Sequence, residues 1–342
     1  MLLPLTLAIS LISSAHQSYA YLDMLKVSTS GNLVASRTNR GLYLFSRDGM
    51  VKARLLPVSI DAACFEFSRD SRRLGASLHN GGAAVWDVAT GEELLHYKTT
   101  DGIFGNGCSI TADGSKIAVG NDNGRIGIWD VATKQLVGVM PFAEESKEWF
   151  HRTTHTDQGD RSVMTNDYEC EQVCFSPDGA YLAAASQSTH YIRIWDANRL
   201  HLARELPVSL FAHMTWCSNS RTLIDLTGVR AWDVVKGEGI LFEPDTRNVF
   251  GNRPRVHFPM GAITEADDLV LLDQAKGILY RCQYGEKQLT TVGPLEDWPQ
   301  SSFRNHYTFF DSLGHFVVCQ DRDTGHIGVW STANARLVWR VQ

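Results

Sequence analysis

A tryptophan–aspartate dipeptide recurs along this chain of 342 residues, and each copy ends a short apolar run and precedes a turn. Four copies are intact and a fifth has serine in place of the aspartate; they lie at Trp86-Asp87, Trp129-Asp130, Trp195-Asp196, Trp232-Asp233 and Trp330-Ser331. A repeat of nearly fixed period constrains the architecture before any single residue is considered. It also indicates that these tryptophans have structural roles.

The sequence around each dipeptide predicts a strand, a tight turn and a second strand. Residues 82–95 match residues 124–137, and both contain Trp-Asp-Val-Ala-Thr between two apolar runs. β-Branched residues in alternation favour strands, and Ala-Thr-Gly or Ala-Asn favours the hairpin turn. A second turn signal, such as Pro177-Asp178-Gly179, lies upstream of several copies, because proline presets one dihedral and glycine allows a positive φ. One repeat is therefore predicted to contain four strands.

The tryptophan position recurs seven times when Phe45 is taken as its first member and Tyr280 as its sixth. Most of the spacings fall within the period of about 40–50 residues that is typical of propeller blades. A single blade cannot cover both faces of its own sheet, but a closed ring of blades can. We therefore predict an all-β chain that folds into a seven-bladed β-propeller of four-stranded antiparallel blades.

These repeats resemble those of the WD-repeat β-propeller family, and the resemblance covers about residues 21–342. The most regular members carry a Gly-His pair before the first strand of each repeat, which this chain lacks. The chain is therefore identified as a divergent member. Its final apolar run, residues 336–341, is expected to form the last strand of the seventh blade, which favours a ring of complete blades.

Composition limits the classes of function. The chain is 44% hydrophobic and 20% charged, as is usual for a globular protein, and no stretch is apolar for long enough to predict a transmembrane helix. The net charge of −6 argues against nucleic-acid binding, which needs a basic surface. The seven cysteines lie mostly in or beside apolar strand runs and lack the spacing of zinc ligands, so we predict buried free thiols.

The first 20 residues have features of a signal peptide. Residues 2–15 are apolar, and Ser18 and Ala20 are small residues where a signal peptidase cleaves. Against this, no Lys or Arg precedes the apolar run, and an odd number of cysteines is unusual in an oxidising compartment. Because seven blades fit within residues 21–342, we favour one propeller there and an exported protein over a cytoplasmic one. The alternative is that residues 5–12 form a sheet edge or an extra outer strand.

Three connections between blades are longer than the repeat requires: an insertion at residues 144–168, and residues 244–254 and 293–306. Each follows the last strand of one blade and precedes the first strand of the next, so all three are expected on one face, around the mouth of the central channel. Long connections are typical of binding loops, and each carries an aromatic residue near an Arg or His, as interface anchors do. The predicted contact residues are Trp149, Phe150, His151, Arg152, Arg247, Phe250, Arg253, Trp298 and Arg304.

The insertion also contains residue types that bind metals, namely His151, His155, Asp157 and Asp160. Two histidines four residues apart would share a face of a helix, but Thr153 and Thr154 disfavour a helix. We therefore interpret this segment as a polar loop and predict no metal site.

The sequence contains no catalytic motif that we can assign. There is no Gly-x-Ser-x-Gly elbow and no phosphate-binding glycine-rich loop before Lys-Ser or Lys-Thr, so no catalytic residue or cofactor is predicted. We predict a monomeric ring that acts as an interaction platform for a protein partner of unknown identity. The alternatives are an enzyme, such as a hydrolase or lyase, or a small-ligand-binding protein with its site at the channel mouth, and a purely structural role in a larger assembly.

Overall fold

The computed structural model consists of strands that pair with their neighbours in the chain. It describes residues 25–38, 40–47, 54–57, 59–79, 81–98, 105–121, 124–141, 150–156, 159–165, 170, 172–186, 191–207, 214–226, 230–240, 260–283, 286–299, 306–321 and 324–341. In this part of the chain the strands form seven four-stranded antiparallel sheets, each from four consecutive strands, arranged as the blades of a propeller. The predicted fold class is therefore confirmed.

The strands of the first three blades are β1 Leu25–Val27, β2 Leu33–Thr38, β3 Gly41–Ser46 and β4 Arg54–Leu55; β5 Ala62–Phe67, β6 Arg73–Leu78, β7 Ala83–Asp87 and β8 Glu93–Tyr97; β9 Gly105–Ile110, β10 Lys116–Asn121, β11 Arg125–Asp130 and β12 Gln135–Pro141. A separate two-stranded sheet follows, formed by β13 Phe150–Thr156 and β14 Gly159–Thr165. A short 3-10 helix, Ser59–Asp61, precedes the second blade.

The strands of the last four blades are β15 Gln172–Phe175, β16 Tyr181–Ala185, β17 Tyr191–Asp196 and β18 His201–Pro207; β19 Met214–Trp216, β20 Thr222–Asp225, β21 Arg230–Asp233 and β22 Glu238–Ile240; β23 Met260–Ile263, β24 Leu269–Asp273, β25 Ile278–Cys282 and β26 Thr290–Pro294; β27 His306–Phe310, β28 Phe316–Asp321, β29 Ile327–Ser331 and β30 Leu337–Val341.

The order of the strands gives the ring two different faces. Within each blade the first strand is innermost and the fourth is outermost. Because the strands are antiparallel, the first and third turns of a blade lie at one end of its strands, which we call the turn face. The second turn and the connection to the next blade lie at the other end, which we call the connection face. In the described part of the chain, the strand ends that lead from one blade to the next therefore lie on one face.

The hydrophobic core is divided among the spaces between neighbouring blades. Seven clusters of buried side chains fill these spaces. In six of them the third strand of one blade contributes an aromatic ring that faces the preceding blade and is at most 6% exposed: Phe45, Trp86, Trp129, Trp195, Trp232 and Trp330. The predicted structural role of these residues is confirmed.

The sixth blade departs from the predicted pattern. Its pairing places Cys282 opposite Leu269, the relation that Trp330 has to Val317 in the seventh blade. Relative to the second strand, Tyr280 therefore lies two residues before the tryptophan position. Relative to the fourth strand it matches that position, because the register shifts just before Tyr280 as it does just before Trp330. Alternate residues of a strand share a face, so Tyr280 still contributes its ring to the space between the fifth and sixth blades.

The ring closes through contacts between its first and last blades. One buried cluster joins Leu25 and Phe45 of the first blade to Val318 and Val329 of the seventh. The indole N–H of Trp339, in β30, donates to the backbone oxygen of Gly31 at 2.6 Å. Each of the seven blades contains four strands that are consecutive among the described strands, so the expectation of complete blades is confirmed.

The aspartate after each tryptophan begins the third turn of its blade. Asp130 shows the geometry: Thr133 donates to its Oδ1 from the backbone N–H at 2.8 Å and from the hydroxyl at 2.9 Å. These hydrogen bonds favour the ionised carboxylate and hold the pKa of Asp130 below its ordinary value of 3.8. Bonding from the backbone likewise lowers the pKa of the equivalent carboxyls, Asp87, Asp196 and Asp233.

The first prediction concerns the tryptophan position. Replacing Trp129 with Ala leaves a cavity between the second and third blades, and we expect a loss of unfolding free energy on the order of 3–5 kcal/mol. Val139→Ala is the matched control, because Val139 belongs to the same blade but is 49% exposed, and it should cost no more than about 0.5 kcal/mol. Urea denaturation of both variants provides the comparison. Equal losses would contradict the assigned core role of Trp129.

The second prediction concerns acid stability. The lowered pKa means that the Asp130 carboxylate stabilises the fold above pH 3.8, and that this contribution is lost as the pH falls through the folded-state pKa. Asp130→Asn keeps an oxygen acceptor but does not titrate, so its melting temperature should fall less than that of the wild type between about pH 5 and about pH 3. Asp130→Ala should be less stable at every pH. If the wild type and Asp130→Asn lose stability in parallel, Asp130 does not contribute to the acid sensitivity.

Candidate interaction surface

The insertion between the third and fourth blades forms a β-hairpin rather than the loop that we predicted. Strands β13 and β14 pair at seven positions, from Phe150 opposite Thr165 to Thr156 opposite Gly159. The β-branched residues Thr153, Thr154 and Val163 suit a strand, and pairing satisfies the hydrogen-bonding groups of the backbone. In the described part of the chain this two-stranded sheet belongs to no blade.

Both ends of the inserted segment are tied to the ring. On one side, β12 is the outer strand of the third blade and pairs with β11 as far as Pro141. On the other side, the backbone N–H of Cys170 donates to the backbone oxygen of Asn121 at 3.1 Å, and Cys170 is fully buried. The segment therefore leaves and re-enters the ring on its connection face.

The structure places three of the predicted contact residues on one strand. Phe150, His151 and Arg152 are the first three residues of β13, and they pair in register with the end of β14. The other predicted residues of the long connections, apart from Trp298, lie outside the described residues: Trp149, Arg247, Phe250, Arg253 and Arg304.

Trp298 is a core residue and not an exposed anchor. Only 6% of it is exposed, its ring centroid lies 5.2 Å from that of Trp330, and its indole N–H donates to the backbone oxygen of Gln274 at 3.2 Å. The segment before it is held against both blades, because the N–H of Leu295 bonds to Gly277 and that of Glu296 bonds to Ala335. We therefore exclude Trp298 from the candidate surface. A tryptophan in a long connection is typical of an interface anchor, but the residues that pack around Trp298 could not be predicted from the sequence.

A histidine–arginine pair lies between the first and second blades. An Nη2 hydrogen of Arg37 points at Nε2 of His79 at 2.9 Å, and the backbone N–H of His79 donates to the oxygen of Asp61 at 2.7 Å. Burial, followed by the charge of Arg37, lowers the pKa of His79 below its ordinary value of 6.5. His79 is therefore a neutral acceptor at pH 7, and it helps to join the two blades. The sequence analysis missed this pair.

Asp311 is a buried carboxyl in the first turn of the seventh blade. Burial raises its pKa to about 6, although the N–H groups of Phe316 and Leu313 donate to the carboxylate at 2.6 and 2.9 Å and oppose this effect. The hydroxyl of Thr111 accepts the equivalent N–H in the third blade. Asp311 thus performs a structural task in the turn. It lies on the turn face, whereas His79 lies towards the connection face, so the two perturbed groups do not converge on one site.

The turn face also carries an open cleft of about 500 Å³ among the first, sixth and seventh blades. Its lining includes Arg281 and the pair formed by Glu265 and His315, whose Oε2 and Nε2 atoms are 3.8 Å apart. This cleft is on the opposite face from the hairpin. Within the described ranges, no three His, Cys, Asp or Glu side chains are grouped as a metal site would require.

Comparisons with known proteins agree with this geometry. Residues 164–196, which span β15 to β17 of the fourth blade, match the family model described as WD domain, G-beta repeat. The fold is a seven-bladed β-propeller, and its fourth blade contains a repeat that is similar to the WD domain. A chain of a structure titled "Crystal Structure of Mitotic Checkpoint Complex" superposes with a TM-score of 0.62 at 16% identity, covering 93% of this chain and 92% of that one. No curated protein matches the sequence significantly.

The propeller fold alone does not identify the function. In all, 1778 chains of solved structures match this one, and a fold that is so widely shared hosts many functions. Evidence for the function must therefore come from the segments that are additional to the repeat. No helix in the described part of this chain is long and apolar enough to cross a membrane.

Proposed function

We propose that this WD-repeat propeller is an interaction platform that binds a protein partner on its connection face, with the β13–β14 hairpin as the principal contact. The observation that carries this proposal is the hairpin itself. It comprises two seven-residue strands that are additional to the seven blades, and it lies in the chain between Pro141 and Cys170, which both belong to the ring.

Rigidity explains why a propeller suits this task. A binding segment that is free in solution loses conformational entropy when a partner orders it, and this cost weakens binding. The ring is held by buried clusters between all neighbouring blades, and β13 and β14 are paired along their length. Both the ring and the pairing within the hairpin therefore exist before a partner binds.

The composition of the long connections indicates a protein partner. Trp149, Phe150, His151 and Arg152 bring aromatic and basic side chains together in four consecutive residues, and such residues are enriched at the centres of interfaces. We propose that they form the contact surface together with Arg247, Phe250, Arg253 and Arg304 of the later connections.

The third prediction tests the hairpin. In affinity purification from the source cells, replacing residues 144–168 with a short Gly-Ser linker should remove a partner that the intact protein captures. The melting temperature should stay near that of the wild type, because the deleted residues lie outside the seven blades. Glu265→Gln, in the cleft on the turn face, is the matched control and should retain the partner. The same proteins on both baits would contradict a role of the hairpin, and the absence of a partner on any bait would favour a small-ligand or enzymatic role at the channel.

The fourth prediction tests the basic residues. The double variant Arg247→Gln/Arg253→Gln should weaken the captured partner by about tenfold or more without lowering the melting temperature. The matched control is Lys134→Gln/Arg199→Gln, which removes the same charge from two turns of the turn face and should leave binding unchanged. Equal weakening by both variants would indicate a general effect of charge, and loss of folding in the first would contradict a surface role.

A further inference from the structure

Two cysteines meet where the second and third blades pack together. Cys64 belongs to β5, the inner strand of the second blade, and Cys108 to β9, the inner strand of the third. Their sulfur atoms are 3.5 Å apart, and both thiols are reduced. A disulfide bond needs sulfurs at about 2.05 Å, so a small rotation of the two side chains would bring them to bonding distance.

The backbone around this pair is held in place. The β5–β6 pairing shifts register between Ala62 and Phe65, and the N–H of Cys64, which lies in this irregular stretch, donates to Oγ of Ser77 at 3.0 Å. Two residues further along β5, the carboxylate of Glu66 accepts the N–H of Ile110 at 3.4 Å, which links the two inner strands directly. The thiols therefore face each other because of the fold.

The two thiols differ in exposure in a way that suits stepwise oxidation. Cys64, like Cys174, is half-buried, whereas Cys108 is 7% exposed, so Cys64 is the more exposed member of the pair. If Cys64 reacts first with an oxidant from solution, Cys108 is the neighbouring thiol that completes the bond.

The other five thiols are poorly suited to oxidation. Cys170, Cys217, Cys282 and Cys319 are buried, and Cys174 is partly buried. Loss of water raises the pKa of Cys174, Cys217 and Cys319 to about 12 and raises that of Cys282 as well. The thiolate is the reactive form, so a raised pKa lowers the reactivity of these four thiols near neutral pH. An odd number of cysteines is compatible with one disulfide and five remaining thiols.

We propose that Cys64 and Cys108 are a disulfide-forming pair that covalently joins the inner strands of the second and third blades when the protein meets a small-molecule disulfide such as oxidised glutathione. The Cys64 thiolate attacks one sulfur of the oxidant, which forms a mixed disulfide and releases one reduced glutathione. Cys108 then loses its proton and attacks the Cys64 sulfur, which releases the second reduced glutathione. Two protein thiols are oxidised to one disulfide, and one glutathione disulfide is reduced to two thiols.

The bond would restrict the unfolded chain more than the folded ring. The two cysteines are 44 residues apart, so the cross-link closes a loop of about one blade in the unfolded state while joining strands that already touch in the folded state. An oxidising compartment would favour the linked form and a reducing one the dithiol.

The fifth prediction tests this pair on the intact protein. The native protein is incubated with oxidised glutathione, denatured with excess alkylating reagent, and measured by mass spectrometry. We expect alkylated thiols to fall from seven to five, a mass loss of about 2 Da before alkylation, and one linked peptide pair that contains Cys64 and Cys108. The melting temperature should rise by about 5 °C and return to its original value after reduction.

Two variants control this experiment. Cys64→Ser should lose both the cross-link and the thermal shift, whereas Cys319→Ser, which removes a buried thiol from a different part of the ring, should retain both. Seven alkylated thiols in the oxidised wild type would overturn the proposal without any variant. A glutathione adduct that persists on Cys64, or a cross-link that maps to other cysteines, would overturn it as well.

Discussion

The structure depends on the fact that a blade is apolar on both faces of its sheet. In β7 the first four of five residues are buried, so neither face of that strand can be left in water. Each blade must therefore be covered by a neighbour on both sides, and only closure of the ring provides this for every blade. The wedge-shaped space between blades is filled by one large ring from each third strand, as Trp129 fills the space behind the second blade. The loss of one such ring affects a contact that holds two blades.

This packing explains why a register shift and a glycine accompany the buried tryptophans. The pairing of the third and fourth strands shifts register just before Trp129 and again just before Trp330. The glycine two residues earlier, Gly127 or Gly328, lies under the indole, and a Cβ atom there would collide with the ring. In the sixth blade the register shifts just before Tyr280, whose ring fills the space, and Cys282 lies two residues further along the strand. The space between blades must be filled, but the aromatic residue that fills it can pair with a different position of the second strand.

The sequence predicted what repeats, because a repeated pattern carries the same physical signal several times. Strand order, both turn types and the role of Trp86 and its equivalents were all predictable in this way. The segments that depart from the repeat each occur once, so no second copy of the same pattern supported a prediction of their structure. Trp298 is of a residue type that is common among exposed interface anchors, and only its contacts with Trp330 and Gln274 place it in the core. The 144–168 insertion was identified by its length, but the pairing that makes it a hairpin depends on the register between two short polar strands.

Contacts between blades nevertheless follow a rule that connects the sequence to the candidate sites. Equivalent residues of neighbouring blades are about one repeat apart, so side chains that meet across an interface have the same separation. Arg37 and His79 are 42 residues apart, and Cys64 and Cys108 are 44 apart. The indole N–H of Trp216 donates to the backbone oxygen of Cys174, which is again 42 residues away. In a propeller, reactive or titratable residues one period apart are therefore candidates for direct contact between blades. This rule would have identified the cysteine pair from the sequence, because both residues precede the first turn of their blades by nearly the same number of residues.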